Sequence, residues 1–195
     1  MSERPIQTHQ DICRIIEQDQ WMMGVLREVR LLGLPDSWVC AGFVRTKVWD
    51  VQHGYRQRSA LPDVDVVYYH HDDLREETEK ALESRLQEMS PGVPWSVKNQ
   101  ARMHVVNSAP PYSSSFDAIS NFPESATAVA VRLTETDSVE LMAPWGVQDL
   151  VDLIVRPTPG YEGADPLKSH IYTRRVATKD WQTKWPKLTI ISNTP

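Results

Sequence analysis

Two short stretches, Trp38-Val39-Cys40-Ala41-Gly42-Phe43-Val44-Arg45 and Asp63-Val64-Asp65-Val66-Val67-Tyr68, decide how the chain folds. The first opens with an apolar run of strand character, reaches a glycine and continues with apolar residues at helical spacing. The second is a β-branched and aromatic run, which is typical of a buried strand. These stretches predict a strand, a glycine turn, a helix and a second strand, in that order.

The flanking sequence extends this pattern to an α/β (α+β) fold. Apolar residues at helical spacing predict helices over residues 11–32 and 72–89. Strand patterns follow at 95–97 and, as a hairpin, at 128–133 and 139–142. We therefore expect a mixed, twisted sheet backed by helices.

Two regions are predicted along the chain. Residues 1–160 form one domain that includes the N-terminal helix, because 195 residues lie within the usual range for a single domain. Residues 161–195 mix Pro, Gly and basic residues with Trp181 and Trp185, and they predict an irregular extension packed on the domain. The two tryptophans are expected in the core, with a nucleotide-stacking or RNA-contacting edge as the alternative.

Composition limits the function. The net charge of −5 argues against a broad nucleic-acid surface. The apolar runs are too short to span a membrane, and the first ten residues are too polar for a signal peptide. Cys13 and Cys40 lie in apolar patterns without zinc spacing. A cytoplasmic protein without a membrane partner is expected.

Asp63 and Asp65 are the main candidates for chemistry. Strand side chains alternate between faces, so these two carboxylates project to the same side of the predicted strand. They repel each other unless a cation lies between them. Mg²⁺, with Mn²⁺ as the alternative, suits such hard oxygen ligands and also holds nucleotide phosphates.

Gly42 supplies the complementary half of the predicted site. A residue without Cβ lets a phosphate approach the backbone, and the N–H groups of the following helix terminus point at it. Arg45, one turn into the helix, adds a charged contact to the same phosphates. A plain turn glycine is the simpler reading of Gly42 alone.

These residues resemble the Gly-Gly-x-Val-Arg and Asp-x-Asp signature of polymerase-β-like nucleotidyltransferases, in the version found in tRNA CCA-adding enzymes. Ala41 and Gly42 occupy the glycine pair. Residues 38–157 also resemble a bacterial family of stand-alone nucleotidyltransferase-like proteins, through blocks at 49–50, 63–68, 95–104, 128–133 and 143–146.

The resemblance implies a metal-dependent transfer of a nucleoside monophosphate from an NTP to an acceptor hydroxyl. Asp63 and Asp65 would bind metal, and Ala41, Gly42 and Arg45 would bind the nucleotide. The acceptor is left open between a small molecule, a protein and an RNA end. Ala41 replaces the usual first glycine and Thr46 an aspartate of the CCA-adding version, so a catalytically weak or inactive nucleotide-binding module of the same fold is the alternative.

Further candidates come with competing readings. Lys98 and Arg102 lie in a polar cluster and are assigned to nucleotide binding, with surface salt bridges as the equal alternative. The resemblance implies a third carboxylate, for which we choose Glu140 over Asp117. That choice assumes that the strand over 139–142 lies beside the strand that carries Asp65, whereas Asp117 has the context of a helix N-terminus.

Overall fold

A five-stranded sheet forms the centre of the computed structural model, which describes residues 6–107, 109–163 and 166–192. Its order is β3-β2-β1-β4-β5; β2 and β3 are parallel and the other pairs are antiparallel. The mixed sheet agrees with the predicted fold class. The strands are β1 (Trp38–Cys40), β2 (Val64–Tyr68), β3 (Trp95–Asn99), β4 (Ala130–Leu133) and β5 (Val139–Met142).

Helices surround the sheet, and the described residues also contain a two-stranded parallel pair, β6 (Ile154–Val155) with β7 (Thr189–Ile190). The helices are α1 (His9–Glu17), α2 (Gln20–Leu31), α3 (Gly42–His53), α4 (Glu76–Met89), α5 (Gln100–Val106), α6 (Ser115–Ser120), α7 (Gln148–Val151), α8 (Pro166–Lys179) and α9 (Trp181–Lys184). None of the described helices has the length and apolar character to cross a membrane.

The predicted helix over 11–32 is two helices. Asp19 ends the first run by capping α2, where its carboxylate accepts hydrogen bonds from the N–H groups of Trp21 and Met22. Lys47 and Arg58 bind the same carboxylate, at 2.9 and 3.0 Å. The apolar period passes through this break, which is why periodicity alone merges the two helices.

Helix α3 follows β1 directly and packs its apolar side into the main core. Val44, Val48 and Trp49 are fully buried there. Gly54 ends the helix with a φ of 73°, a conformation that glycine adopts without strain. The core contacts of α3 hold its start directly after the end of β1, the central strand of the sheet.

The hairpin of β4 and β5 forms as predicted, but its position differs from the expectation. Because β1 and β4 stand between them, β2 and β5 are three strand spacings, about 14 Å, apart. The assumption that residues 139–142 lie beside β2 is therefore wrong. Hydrophobic pattern defines a strand, whereas its neighbour is set by the tertiary topology.

The C-terminal extension is not irregular. Apart from residues 164–165 and 193–195, which lie outside the described residues, it contains α8, α9 and β7. Trp181 and Trp185 are buried against Trp49, with ring centroids 5.7 and 5.1 Å away. The Trp185 ring nitrogen also donates to Asp50, at 2.8 Å. These contacts hold the extension against α3.

Candidate nucleotidyltransferase site

A cavity of about 410 Å³, which we call the aspartate cavity, lies where β1, α3 and β2 meet the C-terminal extension. Ala41, Gly42, Arg45, Asp63 and Asp65 all line it. The structure thus brings together five of the predicted site residues. The remaining walls include Thr46, residues 60–62, Arg175, Lys179, Trp181, Lys184 and Trp185.

Asp65 lies inside β2, between Cys40 of β1 and Ser96 of β3. Burial, and then repulsion from Asp63, raise the pKa of Asp65 to about 6, although the Ser96 hydroxyl beside it partly offsets this rise. Burial together with the same two carboxylates raises the pKa of the Cys40 thiol, which keeps it protonated. Negative charge is therefore concentrated here, where it costs free energy without a cation.

This donor set fits a hard divalent cation. Two carboxylates on one side of a strand offer oxygen ligands, and Mg²⁺ characteristically uses one or two protein carboxylates together with water and substrate phosphates. Among the described residues, no group of three or more His, Cys, Asp or Glu side chains is arranged to hold a metal ion. Asp63 and Asp65 are the residues that would hold Mg²⁺ or Mn²⁺.

The N-terminus of α3 forms another part of the cavity wall. Ala41 occupies the N-cap without a side-chain hydrogen bond, and the N–H groups of Gly42, Phe43 and Val44 have no acceptor among the described residues. A Cβ on Gly42 would lie 3.8 Å from Nη2 of Arg45, so the guanidinium is beside this terminus. Free N–H groups and the helix dipole favour an anion at this position.

Ala41 has a strained backbone, with φ 54° and ψ −115°. This conformation favours glycine, because a Cβ meets neighbouring backbone atoms at positive φ. Ala41 also donates its N–H to the carbonyl of Val129 at 2.9 Å, which holds the turn against β4. Strain of this kind is often found at ligand-binding sites.

Arg45 is buried and aimed at the cavity. Its Nη1 donates to the Thr127 hydroxyl at 2.7 Å, and the guanidinium carbon lies 4.5 Å from the Trp181 ring centroid. Its Nε has no hydrogen-bond partner. Burial lowers the pKa of Arg45 to about 10, so the side chain remains charged at neutral pH. A buried cation with an unused donor is well suited to bind an anion.

The C-terminal extension contributes Arg175, which the sequence analysis did not single out, and two lysines of the alternative nucleotide-stacking edge beside the tryptophans. Arg175 donates its Nε to the fully buried Glu124 at 2.7 Å, and Lys179 and Lys184 lie further along the same wall. Residues 166–187 contain six Lys or Arg and one Asp, in a chain of net charge −5. This local excess of positive charge is a sequence signal for an anion-binding segment, although it does not show that Arg175 reaches this cavity.

The other predicted residues lie elsewhere. Arg102 is bound to the buried Glu79 through two contacts, at 3.1 and 2.7 Å, and does not line the aspartate cavity. Lys98 lies 3.6 Å from the same carboxylate and lines a neighbouring cavity. The salt-bridge reading therefore describes Arg102, while Lys98 is adjacent to the site without facing the aspartate cavity.

Neither candidate for the third carboxylate reaches Asp63 and Asp65. Glu140 is on β5, pairs with Arg132 at 2.8 Å and remains half-exposed. Its assignment to the metal site is corrected by the strand order. Asp117 is in the first turn of α6, where its carboxylate accepts from the N–H of Ser113 at 2.9 Å. The expected helix N-terminal context of Asp117 is confirmed.

Comparison with known proteins identifies the class. A sequence model described as nucleotidyltransferase matches residues 27–190, and the chain belongs to that family. No curated protein matches the sequence. Among solved structures, an NMR structure described as revealing a CCA-adding enzyme head domain is 35% identical, with a TM-score of 0.86, covering 97% of this chain and 98% of that one.

Complete CCA-adding enzymes share the fold at lower identity. A complex of such an enzyme with CTP is 12% identical with a TM-score of 0.60, covering 92% of this chain and 43% of that one. The Thermotoga maritima enzyme complexed with tRNA is 14% identical with a TM-score of 0.57, covering 92% and 42%. This chain thus spans less than half the length of these enzymes.

Proposed function

We propose that the protein transfers a nucleoside monophosphate from an NTP to an acceptor hydroxyl, with the aspartate cavity as its NTP site. One observation carries this proposal: paired carboxylates, an uncapped helix N-terminus and a buried arginine line a single cavity. Membership of a nucleotidyltransferase family supports the reaction type. Relatives of the same fold have been described in complex with CTP and with ATP.

Charge balance supports an NTP as the ligand. Four cationic side chains, Arg45, Arg175, Lys179 and Lys184, line the cavity with the two aspartates. Within the part of the chain that the structure describes, only Arg175 among these cations is paired with a further carboxylate, that of Glu124. This excess of positive charge suits a polyphosphate in an otherwise acidic chain. The α3 terminus and Arg45 would bind phosphate oxygens, while Lys179 and Lys184 lie on the wall formed by the C-terminal extension.

The positions of the residues around the aspartate cavity suggest a separate role for each in the reaction. Mg²⁺ or Mn²⁺, bound by Asp63 and Asp65, would supply charge stabilisation at the transferring phosphoryl group. Arg45 and the N–H groups of α3 orient the triphosphate, and catalysis is then chiefly positioning and electrostatic stabilisation. Asp65 borders a second cavity as well as this one, so its carboxylate is placed to accept the proton of an acceptor hydroxyl.

The decisive experiment measures what the chain releases from each of the four NTPs with Mg²⁺ or Mn²⁺ and with hydroxyl acceptors present: a set of small alcohols, a protein extract and an RNA with a free 3′-hydroxyl. Pyrophosphate, rather than orthophosphate, is expected because the bond between the α- and β-phosphates breaks. EDTA should abolish the release. Orthophosphate as the sole product would contradict nucleotidyl transfer.

A nucleotide-binding module without turnover is the second candidate. It is favoured by the strained Ala41 and by the lack, among the described residues, of a third metal-binding side chain. Equilibrium binding of a labelled NTP separates the two functions. Tight, metal-dependent binding without pyrophosphate release from any NTP would establish the module and refute the enzyme.

A further inference from the structure

A second cavity, of about 520 Å³, lies beside the aspartate cavity, between the sheet and helices α5 and α8. We call it the α5–α8 cavity. Three residues, Ala41, Asp65 and Arg175, line both cavities. The two cavities therefore adjoin at Asp65, and a ligand in the α5–α8 cavity would lie next to the proposed NTP site. Its volume is that of a site for a small molecule.

Helix α8 runs along both cavities and changes character on the way. Residues at intervals of four lie on one helix face, and here Leu167 and Ile171 line the α5–α8 cavity, Arg175 lines both, and Lys179 lines the aspartate cavity. Leu167 is about 12 Å along the helix axis from Arg175. The helix thus offers hydrocarbon to one cavity and positive charge to the other.

Three exposed apolar residues form what we call the rim of the α5–α8 cavity, which Lys98 and Arg175 also line. Val106 of α5 is 62% exposed, Leu167 is 66% exposed and Ile171 is 40% exposed. A polynucleotide entering over this rim would place phosphates against hydrocarbon, whereas phosphate contacts normally come from Lys and Arg. The rim favours an acceptor with an apolar body over a polyanion.

Polar groups further along the wall suit a hydroxyl. The amide nitrogens of Gln100, Asn107 and Asn121 already donate to the Lys98 carbonyl, the Tyr112 hydroxyl and the Asp117 carbonyl, at 3.3, 3.2 and 2.9 Å. Their amide oxygens have no partner among the described residues. These oxygens are hydrogen-bond acceptors, and hydroxyl groups are complementary donors.

We propose that the α5–α8 cavity binds the acceptor, and that the acceptor is a compact molecule with an apolar body and a hydroxyl group. This inference rests on the proposed function. The acceptor oxygen forms a bond to the α-phosphorus while the bond from that phosphorus to the bridging oxygen breaks. Pyrophosphate leaves with the electron pair, and the hydroxyl proton passes to the Asp65 carboxylate.

Titration of the full chain with three hydroxyl probes, followed by NMR, tests the cavity without NTP or metal. The probes are 3-phenyl-1-propanol, glycerol and a short oligoribonucleotide with a free 3′-hydroxyl. We expect 3-phenyl-1-propanol to bind more tightly than glycerol. Ile171→Glu should weaken its binding about tenfold, because the substitution places a charge on the apolar wall. Thr173→Glu is the matched control, since Thr173 is exposed on the same helix and lines neither cavity.

The outcomes of these titrations test the α5–α8 cavity as an acceptor site, and they do not depend on whether the NTP reaction occurs. Equal weakening by both substitutions, or no weakening by Ile171→Glu, would overturn the site. Tighter binding of glycerol would overturn the apolar body, and salt-sensitive binding of the oligoribonucleotide that displaces 3-phenyl-1-propanol would overturn the small acceptor. Failure of the proposed function would appear instead as the absence of pyrophosphate release in the NTP assay with every acceptor supplied, which is a separate readout from the binding of these probes.

Discussion

Two strands of the sheet, β2 and β5, carry acidic side chains in very different settings. Asp65, in β2, lies with Asp63 on a cavity wall, and its pKa is raised to about 6 by burial and by that neighbour. Glu140, in β5, is half-exposed and forms an ion pair with Arg132 at 2.8 Å. The Glu140 carboxylate is already neutralised by Arg132, so it has no need of a metal ion. The carboxylates that remain costly in the folded chain are the ones to assign to metal binding.

The largest expected difference between the acids of β2 and β5 is in the effect of their substitution on catalysis. Asp63→Asn and Asp65→Asn should each lower metal-dependent pyrophosphate release by about a thousandfold or more, because each removes an anionic ligand from the metal site. Glu140→Gln should keep the rate of the unchanged protein. Rates of pyrophosphate release from the preferred NTP at saturating Mg²⁺ measure this. Full activity in both aspartate variants would show that the site is misassigned.

The second difference is in the free energy of unfolding of the metal-free chain. The pKa of Asp65 is higher in the folded state than its ordinary value of 3.8, so folding favours the protonated form. The contribution of Asp65 to stability should be greatest below about pH 4 and fall as the pH rises through 6, by up to about 3 kcal/mol in total. Asp65→Asn should remove this loss and be the more stable protein at neutral pH.

Urea unfolding with EDTA across this pH range provides the measurement. Glu140→Gln is the contrasting variant: it loses an exposed ion pair and should be destabilised by at most about 1 kcal/mol. The two substitutions should therefore change stability in opposite directions at neutral pH. If both substitutions destabilised the protein, the two strands would not differ in the cost of their carboxylates.

A third comparison uses two glycines, one that follows β1 and one that follows β5. Gly42 has no positive φ, and a Cβ there would touch only Arg45 and Leu61 at ordinary contact distances. We therefore expect Gly42→Val to lower NTP affinity about tenfold or more, through blocked phosphate approach, with a smaller effect on stability. Gly146, which follows β5, has φ 75° and no atom within 4 Å of a Cβ, so Gly146→Ala should strain the backbone without changing NTP affinity.

Isothermal titration with NTP and thermal unfolding of both variants provide the test. Gly42→Ala is a graded intermediate, because a methyl group occupies less of the space in front of α3. Unchanged NTP affinity in a destabilised Gly42→Val variant would reduce Gly42 to a turn residue.

The smallest expected effect concerns Ala41. Ala41→Gly should raise the free energy of unfolding by about 1 kcal/mol, because glycine adopts φ 54° without strain. Asp137, with φ 62° in the β4–β5 turn, is the contrasting position: it binds Arg27 and Arg30, so Asp137→Gly loses contacts as well as strain. Urea denaturation should show the first variant stabilised and the second not. A loss of stability in Ala41→Gly would show that the turn is not strained.

The local sequence pattern predicts single strands, helices and turns, but it does not predict which of them become neighbours in the fold. The strand, turn and helix around Gly42 and the alternation of Asp63 and Asp65 depend on neighbouring residues, so the sequence alone predicts them. The place of Glu140 depends on which strand lies next to β2, and no periodicity specifies that. Arg175 joins the site through Glu124, 51 residues away, and such a contact leaves no local signal.

Helix α8 and the tryptophans beyond it give the molecule an order of assembly. The contact between Asp50 and Trp185 closes a separation of 135 residues, and contacts so distant in sequence form slowly. During synthesis, β1, α3 and β2 leave the ribosome well before Arg175 and Lys179. A nascent chain therefore acquires its carboxylates before the positive wall that faces them, and affinity for polyphosphate should be among the last properties to mature.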